Sequence, residues 1–471
     1  MGWRIDISMR RIVGLETEYG CLFNQGTDLL SVPEQVKDYL ILEKKMGLID
    51  VHDRDYDEPA GNGGFLFNGG RLYIDMGHVE YCTSECKNLA DLVASDYAGE
   101  KLLQTALDEL GLSSKVSFIK NNIDHYTGAT FGCHENYLIH RNAPLTQENV
   151  DSLLAFLAIR GLMVGSGRVG SVLSSRKYNK KEGKTVNFQV MQRADYIQTE
   201  IYEWVQFNRA LINARDEPLS DPCRFRRLHL LLGDSNILPF SQALKVGSTA
   251  LVLDLLECRK LPPIAFTDPV KTMRQVSHVA SADLLIELAD GRKWTPVEVL
   301  SEYYLQAQKL EEKDEDAYWI LEAWEEVLEG LSGNQEKLIG KVDWITKKYL
   351  LESFCMKENI AWDDPWLDSL DLEYHQIDRK KNFVWLLPNT RYEDLNLPSW
   401  PQTNFIADPP RNTRAYVRSL LMKQLAKEKV SYVIDWDYVQ IGNSKFYSLD
   451  DPFISVLPKT SKRPCFDTIN W

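Results

Sequence analysis

Apolar and polar residues alternate near the start of the chain in a way that predicts a β-strand over residues 9–25. The β-branched pair Ile12-Val13 leads into the motif GLETEYG, and β-branched residues favour extended structure. Residues two apart on a strand point to the same face, so the carboxylates of Glu16 and Glu18 would project together. Two like charges this close need either solvent around them or a cation between them, and Mg²⁺ prefers carboxylate oxygens.

A second pair of predicted strands carries further acidic side chains. The segment FLFNGGRLYID predicts two short strands that turn at its Asn-Gly-Gly sequence, because these residues favour hairpin turns. Alternation then puts Tyr73 and Asp75 on one face, and Glu80 follows after a glycine-marked turn. Together these side chains form either a hydrogen-bonded core cluster or, beside the two glutamates of the first strand, an oxygen-rich pocket.

Apolar residues at helical spacing dominate much of the remaining chain. A helix is predicted over 31–46, with Ser31 as its N-cap and Pro33 in its first turn. The pattern is also helical over 85–110 and mostly helical from about 241 to 383, whereas 51–64 is a polar, acidic and glycine-rich loop. Further strands are predicted at 116–124, 133–141 and 226–236.

A proline-rich stretch without periodicity, residues 386–412, is the best candidate for a link between domains. After it the pattern predicts one helix over 413–428 and strands in VSYVIDWDYVQIG and KFYSL. The sequence therefore predicts an α+β protein with a large domain, 1–398, and a small α+β domain, 399–471.

Composition excludes some classes of protein. The 471 residues are 44% hydrophobic and 26% charged, and the net charge of −14 argues against a nucleic-acid partner. No apolar run is long enough for a membrane span, and the N-terminal residues lack the apolar core of a signal peptide. We therefore expect a soluble, cytoplasmic protein without a membrane partner.

The cysteines favour a reducing environment. Eight of them are scattered along the chain, unlike the dense disulfide framework of a small secreted domain. Cys82 and Cys86 beside His78 are a weak zinc signal, because no second cysteine pair accompanies them. Buried or half-buried reduced thiols are the better interpretation.

Two more predicted strands supply nitrogen-containing side chains. His134 shares a face with Asn136, and Arg227 shares one with His229. A lone histidine in an apolar strand is more often a satisfied core residue than a ligand. His134 and His229 are therefore candidate ligands only if their strands lie side by side. If the strands are neighbours, one face collects Glu16, Glu18, Tyr73, Asp75, Glu80, His134, Arg227 and His229.

Such a face would need compensating charge. Divalent cations would neutralise the carboxylates, and the arginine would remain available for a phosphate group. The chain has neither a P-loop nor the glycine motif of a Rossmann fold, so a nucleotide would bind in another way.

The chain resembles the family of Pup ligases and depupylases. The resemblance extends from about residue 9 to residue 453 and rests on ten ordered blocks: GLETEYG, NGGRLYIDMGHVEYCTSEC, KNNID, GCHENYLI, NARDEP, RRLHLLLGDSN, LKVGSTALVLDLLE, SLDLEYHQID, DPPRNTRA and DDPF. It implies a glutamine synthetase-like fold, in which a curved antiparallel sheet packed by helices holds ATP and Mg²⁺ and a small C-terminal domain lies beside the nucleotide.

The resemblance also implies roles for individual residues. Glu16, Tyr73 and Glu80 would hold metal, and Glu18, His134 and His229 would complete the metal and phosphate site. Asp75 would be the catalytic acid/base. Arg227 and Trp436 would contact ATP, although a core aromatic is an equally good interpretation of Trp436.

The implied activity is ATP-dependent ligation. The enzyme would join the side-chain carboxylate of a C-terminal glutamate of Pup, or of a Pup-like modifier, to a lysine of a protein substrate through an acyl phosphate. The alternatives are a depupylase or deamidase of the same fold and a carboxylate–amine ligase for a different peptide. A protein that only docks a peptide tail has no need for clustered carboxylates.

Two features bear on the branch of the family. The resemblance implies that depupylases carry an insertion of some forty residues between the first metal-binding strand and the RLY strand. In this chain only a moderate segment, Asn24 to Phe65, lies between them, which favours the ligase. In contrast, five positions separate Asp75 from Glu80, which is the depupylase spacing, and Val79 replaces an expected proline.

Overall fold

The computed structural model describes the protein over most of its length, and a large mixed sheet forms its centre. The described residues are 11–23, 32–54, 58–125, 128–170, 187–204, 208–281, 283–388, 390–398, 404–428 and 430–460. The strands are β1 (Val13–Phe23), β2 (Gly47–Ile49), β3 (Gly63–Leu66), β4 (Arg71–Asp75), β5 (His78–Cys82), β6 (Val116–Ile119), β7 (Cys133–His140), β8 (Arg168–Val169), β9 (Phe188–Gln189), β10 (Thr199–Tyr202), β11 (Ala210–Asn213), β12 (Phe225–Leu230), β13 (Ile286–Glu287), β14 (Lys293–Trp294), β15 (Tyr432–Ile434), β16 (Tyr438–Ile441) and β17 (Lys445–Ser448).

Helices surround this sheet. They are α1 (Val32–Asp38), α2 (Leu89–Glu109), α3 (Gln147–Ile159), α4 (Gly161–Val164), α5 (Pro239–Glu257), α6 (Pro269–Val279), α7 (Pro296–Gln308), α8 (Glu315–Ser332), α9 (Asp343–Glu358), α10 (Pro365–Glu373) and α11 (Arg414–Leu425). A π-helical turn, Tyr39–Glu43, follows α1. Within the described residues, none of these helices combines the length and apolar character that a bilayer crossing demands.

The ten-stranded sheet has the order β10-β11-β12-β7-β1-β5-β4-β3-β2, with β6 paired to the far part of β1. Its neighbours are antiparallel except for the parallel pair β10 and β11. β1 is central, since it pairs with β5, β6 and β7. The predicted α+β architecture is confirmed, with one parallel pair added to the antiparallel sheet.

One face of β1 lies in the apolar core. Val13 and Leu15 are buried and pack in the largest hydrophobic cluster, together with residues of α2, α3, α5 and α8. Helix α5 is buried at nearly every position, which explains its continuous apolar pattern. The intervening residues of β1 point to the opposite face, and this opposite face carries the glutamates.

Several element predictions are confirmed and others are wrong in extent. The strand predicted over 9–25 is confirmed at Val13–Phe23, while residues 9–10, 24–25 and Ser31 lie outside the described residues. The hairpin around residues 68–70 is present, and Pro33 lies in the first turn of α1. The strand predicted over 226–236 stops at Leu230, because Asp234 accepts hydrogen bonds from the backbone N–H groups of Ser166 and Gln192 rather than joining a strand ladder.

Two predicted segments are divided or shortened for similar reasons. The segment over 116–124 is a strand only as far as Ile119, because Asn122 bonds through its side chain to the Phe131 carbonyl. VSYVIDWDYVQIG forms two strands rather than one, since the Asp435 N–H donates to the Tyr438 carbonyl across a turn.

The cysteine interpretation agrees with the structure. The seven cysteines among the described residues are free thiols. Cys82 and Cys86 are buried, and the Cys86 thiol lies 3.6 Å from the Ser84 hydroxyl. These contacts favour buried thiols over a zinc site.

The C-terminal segment packs directly on the large sheet. Phe65 of β3 shares one hydrophobic cluster with Val417 and Leu421 of α11 and with Val439 of β16. The division into domains 1–398 and 399–471 stays a prediction, and residues 399–403 and 461–471 lie outside the described residues.

A buried carboxylate fastens α11 to the sheet. Glu85 accepts from Arg414 Nε at 2.6 Å and from Arg418 Nη2 at 2.6 Å, and Arg418 also donates to the Gly69 carbonyl at 2.9 Å. Burial alone would raise the pKa of Glu85, but the two guanidinium groups outweigh burial and lower it to about 2. The ion pair therefore stabilises the folded protein at neutral pH.

We predict that Glu85→Gln lowers the free energy of unfolding by about 3 to 5 kcal/mol at pH 7, because it leaves two buried guanidinium groups without their counter-ion. Because the folded pKa lies below the unfolded one, this contribution is complete above pH ~4.5 and is lost as pH falls towards 2. Urea unfolding of both proteins should therefore converge in acid. The exposed Glu428→Gln on the segment after α11 is the control, and an equal effect of both substitutions contradicts the prediction.

Candidate active site

Strand pairing gathers the predicted polar residues on the face of β1 that points away from the core. Glu16 lies opposite His134, and Glu18 lies opposite Glu80. The remaining side chains follow from the next registers, in which Tyr73 faces Glu80, Asp75 faces His78, His229 faces Asn136, and Arg227 lies two residues before His229. The sequence argument about faces is confirmed because neighbouring strands keep their registers.

One group of metal-ligand atoms surrounds Glu16. Donor atoms of Glu16, His134 and His229 all lie within 4.8 Å of one another. Glu16 Oε2 is 3.3 Å from His134 Nδ1 and 3.6 Å from His229 Nε2, and Asn136 Nδ2 donates to Glu16 Oε1 at 2.9 Å. Burial lowers the pKa of His229 to about 4, so its imidazole is neutral at physiological pH and able to bind a metal.

A second group contains only carboxylates. Oxygens of Glu18, Asp75 and Glu80 lie within 4.8 Å of one another. Burial, followed by the charges of Glu16 and Glu18, raises the pKa of Glu80 well above its usual range. Burial and then Glu18 raise the pKa of Asp75 to about 6. Three carboxylates held this close favour a divalent cation bound by oxygen.

Tyr73 and Gly132 hold two of these carboxylates in place. The Tyr73 hydroxyl donates to Glu80 Oε1 at 2.5 Å. The backbone N–H of Gly132 donates to Glu18 Oε1 at 2.7 Å. A side chain at Gly132 would bring its Cβ within 2.5 Å of His134 Nε2 and 2.9 Å of Glu18 Oε1, so one of these two site side chains would have to move.

A cavity of about 510 Å³ opens beside Glu16, between the sheet and the C-terminal segment. Its size is within the range of small-molecule sites. Arginines supply most of its positive charge, and the lining includes Glu16, Tyr73, His229, Trp436, Arg54, Arg71, Arg215 and Arg227. The lining also contains carboxylates that pair with its arginines, namely Glu58, Glu85, Glu217 and Asp435. An anionic ligand such as a nucleotide would bind here by taking over some of these arginines.

Arg227 and Trp436 both line this cavity. Arg227 Nη1 donates to Asn136 Oδ1 at 3.3 Å and lies 3.9 Å from Glu16 Oε1. The Trp436 ring packs edge-on against Phe65 at 4.9 Å and lies 4.9 Å below the Arg418 guanidinium. Trp436 is thus both a cavity-lining and a core residue, and its contact with ATP stays a prediction.

The predicted residues divide into two ends of one site. Glu16, Tyr73, Arg227, His229 and Trp436 line the cavity, whereas the cavity lining does not include Glu18, Asp75, Glu80 or His134. Both ends share the same sheet face, because Glu16 and Glu18 are two residues apart on β1.

Sequence reasoning missed several residues of the site. Arg71 could have been found, since it alternates with Tyr73 and Asp75 on β4. Asn136 had been placed on the face of His134 without a role. Arg54 lies in a loop, where no periodic pattern of the sequence indicates which way a side chain points. Ion pairs with Asp50 and Asp435 hold it at the cavity.

The chain is similar over most of its length to known proteins. A family model described as Pup-ligase protein matches residues 11–440. The chain is 34% identical over 461 residues to a Pup–protein ligase of Acidimicrobium ferrooxidans, which covers 95% of this chain and 96% of that protein. It is 32% identical over 465 residues to a Pup–protein ligase of Kineococcus radiotolerans, with 95% and 97% covered.

Solved structures agree in fold. The crystal structure of a complex between the prokaryotic ubiquitin-like protein Pup and its ligase PafA has a TM-score of 0.79 at 29% identity and covers 95% of this chain and 89% of that one. The structure of PafA in complex with ADP has a TM-score of 0.73 at 28% identity, with 93% of each chain covered.

We predict that Gly132→Ala weakens divalent-cation binding at least tenfold while the fold remains, because the added methyl group must displace either the His134 ring or the Glu18 carboxylate. Titration with Mn²⁺, monitored by electron paramagnetic resonance, measures this loss. Gly333→Ala, at the end of α8 and remote from the site, is the control. Unchanged Mn²⁺ affinity in Gly132→Ala would contradict the assignment.

Proposed function

The chain belongs to the Pup ligase family, and from this we propose that it uses ATP to join Pup, or a Pup-like modifier, to lysine side chains of proteins. The observation that carries the proposal is one sheet face with an arginine-lined cavity at one end and two groups of metal-ligand atoms beside it. A phosphoryl-transfer enzyme needs this combination of nucleotide pocket and cation sites.

The cavity residues suit the nucleotide. Arg54, Arg71, Arg215 and Arg227 would neutralise phosphate oxygens, and Trp436 would pack against the base. Two relatives are named Pup–protein ligases, and a related PafA was solved with ADP.

The donor atoms fit Mg²⁺. Glu18, Asp75 and Glu80 offer only carboxylate oxygens, and burial together with the neighbouring negative charges raises the pKa of Asp75 and of Glu80. Glu16 with Tyr73 would add further oxygens. His134 and His229 would complete the site on the phosphate side. Bound Mg²⁺ would offset the charge of the carboxylates and of the transferring phosphoryl group.

The reaction then has two steps. A side-chain carboxylate oxygen of the modifier's C-terminal glutamate attacks the terminal phosphorus of ATP, and ADP leaves with the electron pair of the broken P–O bond. The lysine nitrogen attacks the resulting acyl phosphate, a C–N bond forms, and phosphate leaves as the C–O bond breaks. Asp75 accepts the proton that the lysine ammonium must lose before attack, and the second proton, lost as the amide forms, leaves with the phosphate.

The hydrolytic alternative uses the same residues in another direction. A depupylase would cleave the isopeptide bond that a ligase makes, and the spacing of Asp75 and Glu80 is the sequence feature that recommends it. The two curated relatives described above are both ligases, and they favour ligation.

We predict that incubation of the protein with ATP, Mg²⁺, Pup and a lysine-bearing protein gives a product whose mass equals the substrate plus Pup minus one water. Intact-mass spectrometry measures this product. A parallel incubation begins with a preformed Pup conjugate. Cleavage of this conjugate, without any ligation in the first mixture, would replace the ligase by the depupylase.

We predict that Asp75→Asn leaves ATP and modifier binding near normal and lowers conjugate formation by a factor on the order of 10² to 10⁴, since asparagine cannot accept the proton. Raising the pH should partly restore the rate, because lysine has a reference pKa of about 10.4 and is then more often neutral. Calorimetric binding and single-turnover rates measure the two effects separately.

Glu16→Ala is the contrasting variant, because it removes a carboxylate at the junction of both ends of the site and should abolish productive ATP binding. If Asp75→Asn behaves in the same way and alkaline pH restores nothing, Asp75 is a metal ligand. The base would then be Glu18, Glu80 or one of the histidines.

A further inference from the structure

The turn between β4 and β5 fixes His78 beside Asp75. Met76 and Gly77 form a two-residue connection with φ of 44° and 91°, the left-handed backbone of a tight hairpin turn. Asp75 and His78 are the residues directly opposite each other next to this turn, so their side chains share one face. Met76 has a left-handed backbone conformation that glycine adopts more easily, so the two flanking strands must hold this turn in place.

The His78 ring covers the outer side of the carboxylate group. It stacks on Phe131 with 5.0 Å between ring centroids and 29° between planes. Its Nδ1 is buried, has no hydrogen-bond partner among the described residues and lies 3.8 Å from Glu18 Oε2. The side chain is 35% exposed, so the other edge of the ring faces solvent.

Phe131 joins this ring to the backbone of the site. It is 6% exposed and directly precedes Gly132, whose N–H binds Glu18. His78 and Phe131, hereafter the aromatic pair, thus extend from solvent to the carboxylates of Glu18 and Asp75. Neither ring contributes to the lining of the nucleotide cavity.

The position of the cavity decides from which side the amine arrives. ATP and the modifier's glutamate must meet at the Glu16 end, where the arginines lie. The acceptor amine has to reach the acyl phosphate beside its base, and Asp75 belongs to the other end. Among the described residues, the partly exposed His78 ring lies on the solvent side next to Asp75, and the buried Phe131 ring supports it from behind.

We propose that the outer face of His78, supported from behind by Phe131, is the wall against which the aliphatic stem of the acceptor lysine lies, so that the lysine nitrogen is directed to Asp75. The inference rests on the proposed ligase function and names the binding surface of its second substrate. The four methylenes of lysine pack well on apolar surface while the charged end extends beyond it.

An aromatic wall also suits the chemistry of the amine. The ammonium group must lose water and then a proton before its nitrogen can attack. Packing of the methylenes on the ring face holds the ammonium next to Asp75 and removes part of its surrounding water. One ammonium proton passes to the Asp75 carboxylate, the C–N bond forms, and phosphate leaves with the electron pair of the C–O bond and takes the second proton that the nitrogen loses.

The test compares two acceptors that differ in the stem. Hydroxylamine attacks acyl phosphates to give a hydroxamate and phosphate, and it has no aliphatic chain to place against the wall. Nα-acetyl-lysine amide has the full stem. For wild type, Phe131→Leu, His78→Ala and His78→Phe, the rates of hydroxamate and of lysine conjugate formation are measured against acceptor concentration with ATP, Mg²⁺ and Pup.

Phe131→Leu and His78→Ala should raise the KM for the lysine acceptor roughly three- to tenfold, the size of an aromatic contact, and change hydroxamate formation less than twofold. His78→Phe keeps the ring face and should retain a near-normal KM for lysine. This rescue would not occur if the ring nitrogen were the important group.

Two results would overturn the inference in different ways. Equal losses with hydroxylamine and lysine would mean that the aromatic pair only supports Glu18 and Asp75. A wild-type protein that forms neither hydroxamate nor conjugate would overturn the proposed function and this inference with it.

Discussion

The organising constraint of the structure is that β1 must bury one face completely while it presents two carboxylates on the other. Val13 and Leu15 lie in the main core, so a shift of register by one residue would bring Glu16 and Glu18 into apolar surroundings. Burial of the apolar face therefore fixes the position of the carboxylates. Repulsion between the clustered carboxylates is unfavourable, but exposing Val13 and Leu15 to solvent would be unfavourable too, so β1 keeps its orientation.

The neighbouring strand β7 repeats this arrangement with polar side chains on both faces. His134 and Asn136 point to Glu16, whereas Glu135 points to the core, is 0% exposed and bonds to Arg160 Nη1 at 2.9 Å and to the Tyr137 hydroxyl at 2.6 Å. An unpaired buried carboxylate would be strongly destabilising. The buried Glu135–Arg160 pair thus fixes the register of β7. The position of His134 on the site face therefore depends on an ion pair on the opposite face of the sheet.

Sequence alone predicts the faces of the long strands because alternation is a local property. Glu16, Tyr73, His134 and His229 could be assigned to one surface on this ground. Strands such as β10, only four residues long, could not be predicted, since pairing with β11 rather than local preference makes them extended. Arg54 could not be predicted either, because a loop residue obtains its place from distant partners such as Asp435.

The direction of the chemistry depends on the outer end of the site rather than on its metal ligands. The carboxylates and the arginine-lined cavity would bind the same charged groups in a ligase and in a hydrolase, and activation of the carboxylate is useful only if an amine arrives before water does. Asp75 would accept a proton from either nucleophile. What distinguishes them is the surface beside Asp75, where His78 and Phe131 cover Glu18. A wall that binds methylenes would favour the lysine over water, and the hairpin turn that holds His78 opposite Asp75 would then contribute to specificity for ligation.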